Sequence, residues 1–130
     1  MRYPEPVLEH FFAPRNAYRM QAPDVVGRAG TPGRGNFMLL YLRLDGARVL
    51  EASYQTYGCC PAIAAGSLLV EQLADADLAE ARARWTEPAI NAALGGLPRH
   101  KRHCSRLAAE ALEHAFTQLS ERTRKTDSHG

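Results

Sequence analysis

With 130 residues, 45% of them hydrophobic and 23% charged, the chain is long enough for one globular domain with a real core. A net charge of only +2 argues against nucleic acid as the main partner. No apolar run approaches the roughly 20 residues that cross a bilayer, so no membrane partner is expected either.

In chain order, residues 5–12 predict a short helix, with Pro6 in its first turn and Val7, Leu8, Phe11 and Phe12 apolar. Pro14 ends it, because a proline there cannot continue the hydrogen-bond ladder. Residues 15–35 show little periodicity and much punctuation: Pro23, Gly27, Gly30, Pro32, Gly33 and Gly35. They predict a long loop, functional or disordered, with Val25 and Val26 as the residues that would pin it to the body.

Residues 37–44 alternate as a strand, with Met38, Leu40, Leu42 and Leu44 on one face. Asp45-Gly46 marks a hairpin turn, and 49–57 reads as the returning strand. Its faces are expected to be Leu50, Ala52, Tyr54 and Thr56 against Val49, Glu51, Ser53 and Gln55. After Gly58-Cys59-Cys60-Pro61 the period becomes helical, and 62–73 is a helix rich in small residues. Residues 78–84 form a short helix with Asp77 as N-cap, and Thr86 caps another that Gly95-Gly96 ends. A loop over 97–102 leads to a long amphipathic helix over about 105–124, with Leu107, Ala108, Ala111, Leu112, Ala115, Phe116 and Leu119 on one face. The fold class is α+β: a small antiparallel sheet with helices packed on one face and a long C-terminal helix. The domain is expected over 1–122, and 123–130 as a flexible C-terminal tail.

Three cysteines, two of them adjacent, make a disulfide framework improbable. They fit a reducing compartment with thiols used for metal or sulfur chemistry. The start of the chain lacks a signal-peptide layout, so a cytoplasmic location is expected. Cys59 ends a strand just before a helix; His103-Cys104 stands where the long helix begins. The helix dipole there would favour a Cys104 thiolate, and with it metal binding or nucleophilic attack. A thiol hydrolase fits poorly, since no oxyanion-hole or pocket signal accompanies the pair.

Several ordered blocks carry a family resemblance over about residues 3–121. They are Val7-Leu8-Glu9-His10 with Pro14-Arg15-Asn16; Pro23-Asp24-Val25-Val26-Gly27 with Gly30-Thr31-Pro32; Tyr57-Gly58-Cys59 with Ala62-Ile63-Ala64; and Leu97 to Ser105. In these the chain resembles the U-type iron–sulfur cluster assembly scaffolds, IscU and the N-terminal domain of NifU, with a SufE/NifU-like fold. It lacks the insertion that marks the zinc-dependent SufU branch.

The resemblance implies a scaffold rather than an enzyme, one that binds iron or a 2Fe–2S cluster through Cys59, His103 and Cys104. Where the family has cysteine, glycine and aspartate, this chain has Arg34, Gly35 and Asn36. Two of the family's ligands are therefore replaced, and Cys60 becomes a candidate fourth ligand. Zinc is the alternative metal. By the same resemblance Cys104 is the candidate acceptor of sulfur from a cysteine desulfurase. Leu97, Pro98 and Lys101 resemble the loop that contacts an Hsp70-type chaperone. Arg34, Asn36 and Lys101 are expected beside the site. A second reading is a degenerate homologue that acts as a partner or regulatory subunit of another scaffold, without its own cluster.

Overall fold

The protein is described by a computed structural model covering residues 3–128, with side chains for 3–122. Its elements run α1 (Glu5–Phe12), β1 (Val25–Gly30), β2 (Phe37–Asp45), β3 (Arg48–Tyr57), α2 (Cys60–Leu73), α3 (Leu78–Arg84), α4 (Glu87–Ala93) and α5 (His103–Ser128). The strands form one antiparallel sheet in the order β1-β2-β3. Helix α5 lies across β1 and β2, α2 lies against β3, α1 packs on α2, and α4 on α5. Between sheet and helices sits one core: Met38, Leu40 and Leu42 from β2, Ala52 and Tyr54 from β3, Leu69 and Leu73 from α2, and Leu112 from α5, all buried. The α+β class, with helices on one face, is the expected one.

The capping signals act as read. Asp77 accepts from the Glu80 N–H, and Thr86 Oγ1 from the Ala89 N–H, each satisfying an otherwise orphaned donor of a first turn. The final helix starts at His103, two residues earlier than expected, and runs to Ser128. His129 and Gly130, the end of the expected tail, lie outside the described residues.

Two sequence expectations are corrected. Within the expected loop 15–35, Val25–Gly30 is a strand, paired from Val25↔Leu42 to Gly30↔Phe37. Gly27 reads as punctuation in sequence, but here it lets a helix approach the sheet. A Cβ at Gly27 would lie 2.0 Å from the Ala111 carbonyl oxygen and 2.9 Å from Ala115 Cβ. The outer edge of β1 is closed by α5 side chains: the Val26 N–H donates to Gln118 Oε1 at 3.2 Å and the Arg28 N–H to His114 Nδ1 at 2.8 Å.

The second correction concerns the phase of β3. The register shifts between Arg43 and Leu44, which face Glu51 and Val49, so Leu50 is the extra residue of a β-bulge. Val49 is therefore fully buried, while Leu50, expected on the face of Ala52 and Tyr54, is 48% exposed.

Candidate metal and sulfur site

The site forms where two chain reversals meet. One is the passage from β3 into α2. There Cys59 has extended backbone (φ −84°, ψ 178°) and is the N-cap residue, with Pro61 in the first turn. The close turn depends on Gly58, where a Cβ would lie 2.9 Å from Ala62 Cβ. The other is a single 3₁₀ turn, Arg99–Lys101, which passes through Arg102 into α5. It puts His103 and Cys104 in the first turn of the longest helix.

These reversals bring together three of the four predicted ligands. Cys59 Sγ and Cys104 Sγ are 3.4 Å apart, and Cys104 Sγ and His103 Nε2 are 3.6 Å apart. The three donor atoms all lie within 4.8 Å of one another. Two thiolates on one tetrahedral zinc, each at roughly 2.3 Å, sit about 3.8 Å apart, so little movement is needed to close the trio on one ion. Cys60, the fourth candidate, is outside the trio. It is the first residue of α2, and burial, then the neighbouring Cys59, pushes its thiol pKa up.

The expected neighbours separate. The Asn36 Nδ2 amide donates to His103 Nε2 at 3.3 Å, taking the lone pair that a metal would use. Lys101 lies close enough for its charge to favour the Cys104 thiolate. Arg34 lies in an exposed turn, its N–H donating to the Thr31 carbonyl at 3.0 Å, and its side chain makes no hydrogen bond or ion pair among the described residues. On the expected chaperone loop, Leu97 is buried in the core, whereas Pro98 and Lys101 are half-buried.

Cys104 departs from the sequence expectation. Its place in a first turn suggested a favoured thiolate. Its side chain instead points into the core with no exposed surface. Burial, then the hydrogen bond and charge of Cys59, push its pKa up to about 12, against the opposing effect of Lys101. Desolvation outweighs the helix dipole here, and a bound metal would be what holds the sulfur as thiolate. Cys59 is the half-buried residue of the pair. The sequence held no signal for this difference, because both cysteines precede similar apolar helical stretches.

A family model described as the NifU-like N-terminal domain matches residues 2–126. The chain belongs to that family. It is 38% identical over 125 residues to an Archaeoglobus fulgidus protein named iron–sulfur cluster assembly scaffold protein IscU 1, covering 96% of this chain and 81% of that one. It is also 38% identical over 120 residues to the IscU scaffold protein of Azotobacter vinelandii, covering 88% and 91%. The nitrogen fixation protein NifU of Azotobacter chroococcum is 36% identical over 127 residues, but this chain spans only 41% of it. In fold, the chain matches the N-terminal NifU-like protein from Brucella abortus, with a TM-score of 0.72 at 16% identity, covering 90% and 93%. The membership makes this NifU-like chain a scaffold-type protein rather than an enzyme. No helix among the described residues is long and apolar enough to cross a membrane.

Proposed function

We propose that this NifU-like chain takes part in iron–sulfur cluster assembly by holding iron, or a 2Fe–2S cluster, on Cys59, His103 and Cys104. The observation that carries this reading is the convergence of the three donor atoms within 4.8 Å from two segments far apart in sequence. Thiolate and imidazole are the ligands such centres use. The fourth position is left for a sulfide, a visiting thiol or a partner's ligand. The half-exposed Cys59 offers a sulfur that a cysteine desulfurase can reach. Free thiols throughout suit a reducing cytoplasm. An Hsp70-type chaperone would meet the 3₁₀ loop on Pro98 and Lys101, since Leu97 is committed to the core.

Anaerobic reconstitution with iron and sulfide tests this reading. A brown protein with visible charge-transfer absorption is expected, and lost in Cys59→Ser. A colourless wild-type product overturns it.

Zinc is a second reading, favoured by the compactness of the trio, which suits one tetrahedral ion. Metal analysis of protein purified without added metal separates the two. A regulatory subunit without a centre of its own is favoured by Arg34, whose side chain offers no ligand where the family has a thiolate. That reading expects neither metal, together with desulfurase binding that survives loss of both Cys59 and Cys104.

A further inference from the structure

Cys59 and Cys104 form a dithiol. Their sulfurs are 3.4 Å apart and unjoined. Closing that gap to the roughly 2.05 Å of a disulfide takes a movement of about 1.4 Å. The two are unequal in access: Cys59 is half-buried, and Cys104 is fully buried. Cys60 stands outside the donor group, and Arg34 occupies the loop position where the family resemblance would place another thiol. The site therefore has one sulfur that a donor can reach and one sulfur that only its neighbour can reach.

We propose that this pair releases sulfide from a persulfide without an outside reductant: Cys59 carries the transferred sulfur and Cys104 resolves it. The proposal rests on the sulfur-accepting reading above and goes beyond it. It moves the acceptor role from Cys104, where the family resemblance put it, to Cys59. With the added sulfur on Cys59 turned away from Cys104, Cys104 Sγ meets the inner sulfur, Cys59 Sγ, from which it is 3.4 Å distant in the dithiol. Which sulfur of a persulfide is attacked decides the outcome. Attack on the outer one would only move the persulfide. Attack on the inner one forms the Cys59–Cys104 bond and breaks the bond to the outer sulfur. That sulfur leaves with the bonding electron pair and with the Cys104 thiol proton, as hydrogen sulfide. The sulfane sulfur gains two electrons, one from each cysteine sulfur, so one persulfide and one thiol become one disulfide and one hydrogen sulfide. A small-molecule thiol restores the dithiol by exchange. The disulfide uses two of the three metal donors, so sulfide release and metal holding exclude each other on one chain.

The test treats the full-length, metal-free chain anaerobically with inorganic polysulfide. Released hydrogen sulfide is trapped with monobromobimane, and the sulfurs are located by non-reducing peptide mass spectrometry. After excess polysulfide and the sulfide set free by loading are removed by rapid desalting, wild type is expected to yield one further hydrogen sulfide for each Cys59–Cys104 disulfide formed. Zinc added beforehand is expected to block both products. Cys104→Ala should keep the sulfane sulfur on Cys59 and release hydrogen sulfide roughly tenfold more slowly or less. Cys60→Ser should behave as wild type. A wild-type chain that holds a stable Cys59 persulfide overturns the proposal, as does a disulfide that maps to Cys60. So does Cys104→Ala releasing hydrogen sulfide at the wild-type rate, with circular dichroism confirming its fold. These arms use no enzyme. A desulfurase that loads no sulfur onto the chain therefore refutes only the sulfur-accepting reading, and the polysulfide arms decide the resolving step.

Discussion

At the scale of single residues, Arg34 stands where the family resemblance would place a cysteine. Arg34 is exposed and two residues from Asn36, whose amide already reaches His103. Two residues of chain span at most about 7 Å, so position 34 is tethered to the residue that contacts His103. Arg34→Cys is expected to supply the fourth thiolate and lengthen the lifetime of a reconstituted cluster, read as the decay of visible absorption under anaerobic chelator challenge. An unchanged decay would mean that the loop does not bring position 34 to the metal. The candidate donors could be picked out in the sequence because Cys59 and His103-Cys104 are marked by residue type and by helix starts. The burial of Cys104 was not, since the dipole argument concerns a backbone position and the side chain's direction is set by packing.

His10 shows the same difference between residue type and environment. It reads as a packing or surface histidine, and it is buried, with Nδ1 2.7 Å from Ser67 Oγ. The Ser67 hydroxyl also accepts from the Arg15 N–H at 2.9 Å. Arg15 Nη1 stands 3.3 Å from the same ring nitrogen, while Glu9 and Glu71 hold the guanidinium from the other side. Burial, then the Arg15 charge, lowers the His10 pKa below its ordinary 6.5. As pH falls through about 6.5, the unfolded chain takes up this proton before the folded one does. His10's contribution to stability is therefore whole above about pH 6.5 and lost progressively below it. Urea midpoints should fall between about pH 7.5 and pH 5.5, and fall less in His10→Gln. Equal falls in the two proteins would remove His10 from this role.

At the scale of elements, the legible ones carried local signals: Asp45-Gly46 for the hairpin, Asp77 and Thr86 for the caps, Pro14 and Gly95-Gly96 for the stops. Strand β1 was hidden because its pairing is non-local and its Gly27 serves α5 rather than a turn. Gly27→Ala is thus expected to destabilise by about 2 kcal/mol or more, because the atoms it meets are the backbone of α5 and the Ala115 methyl fixed on that helix. The bulge in β3 was hidden for a related reason, since a strict period of two assigns Leu50 to the core. Leu50→Ala should cost under about 1 kcal/mol, as a half-exposed side chain does, whereas a core leucine such as Leu40 costs about 2–5 kcal/mol when truncated. A core-sized loss at Leu50 would mean that the unbulged register is the real one. Both are read as shifts in urea midpoint.

At the scale of the whole molecule, the site ties together parts that the chain keeps far apart. Cys59 belongs to the junction of the sheet with α2, and His103-Cys104 to the start of α5, the helix that covers β1 and β2 and supports α3 and α4. A metal held by all three would bridge these elements at a point where the protein itself offers one thiol–thiol contact and one histidine–amide contact. An ion that binds the folded chain and not the unfolded one stabilises by an amount set by its concentration relative to its dissociation constant. At a hundredfold excess this is about 2.7 kcal/mol, on the order of 10 °C in Tm for a chain of this size. Loading the apo protein with zinc or ferrous iron should raise Tm by that order, and chelation should return it. In Cys59→Ser the rise should nearly vanish, because two neighbouring ligands on one helix start remain and nothing reaches across to the sheet. A rise that persists in Cys59→Ser would place the metal elsewhere, whereas one abolished by Cys60→Ser as well would bring the excluded cysteine back into the ligand set.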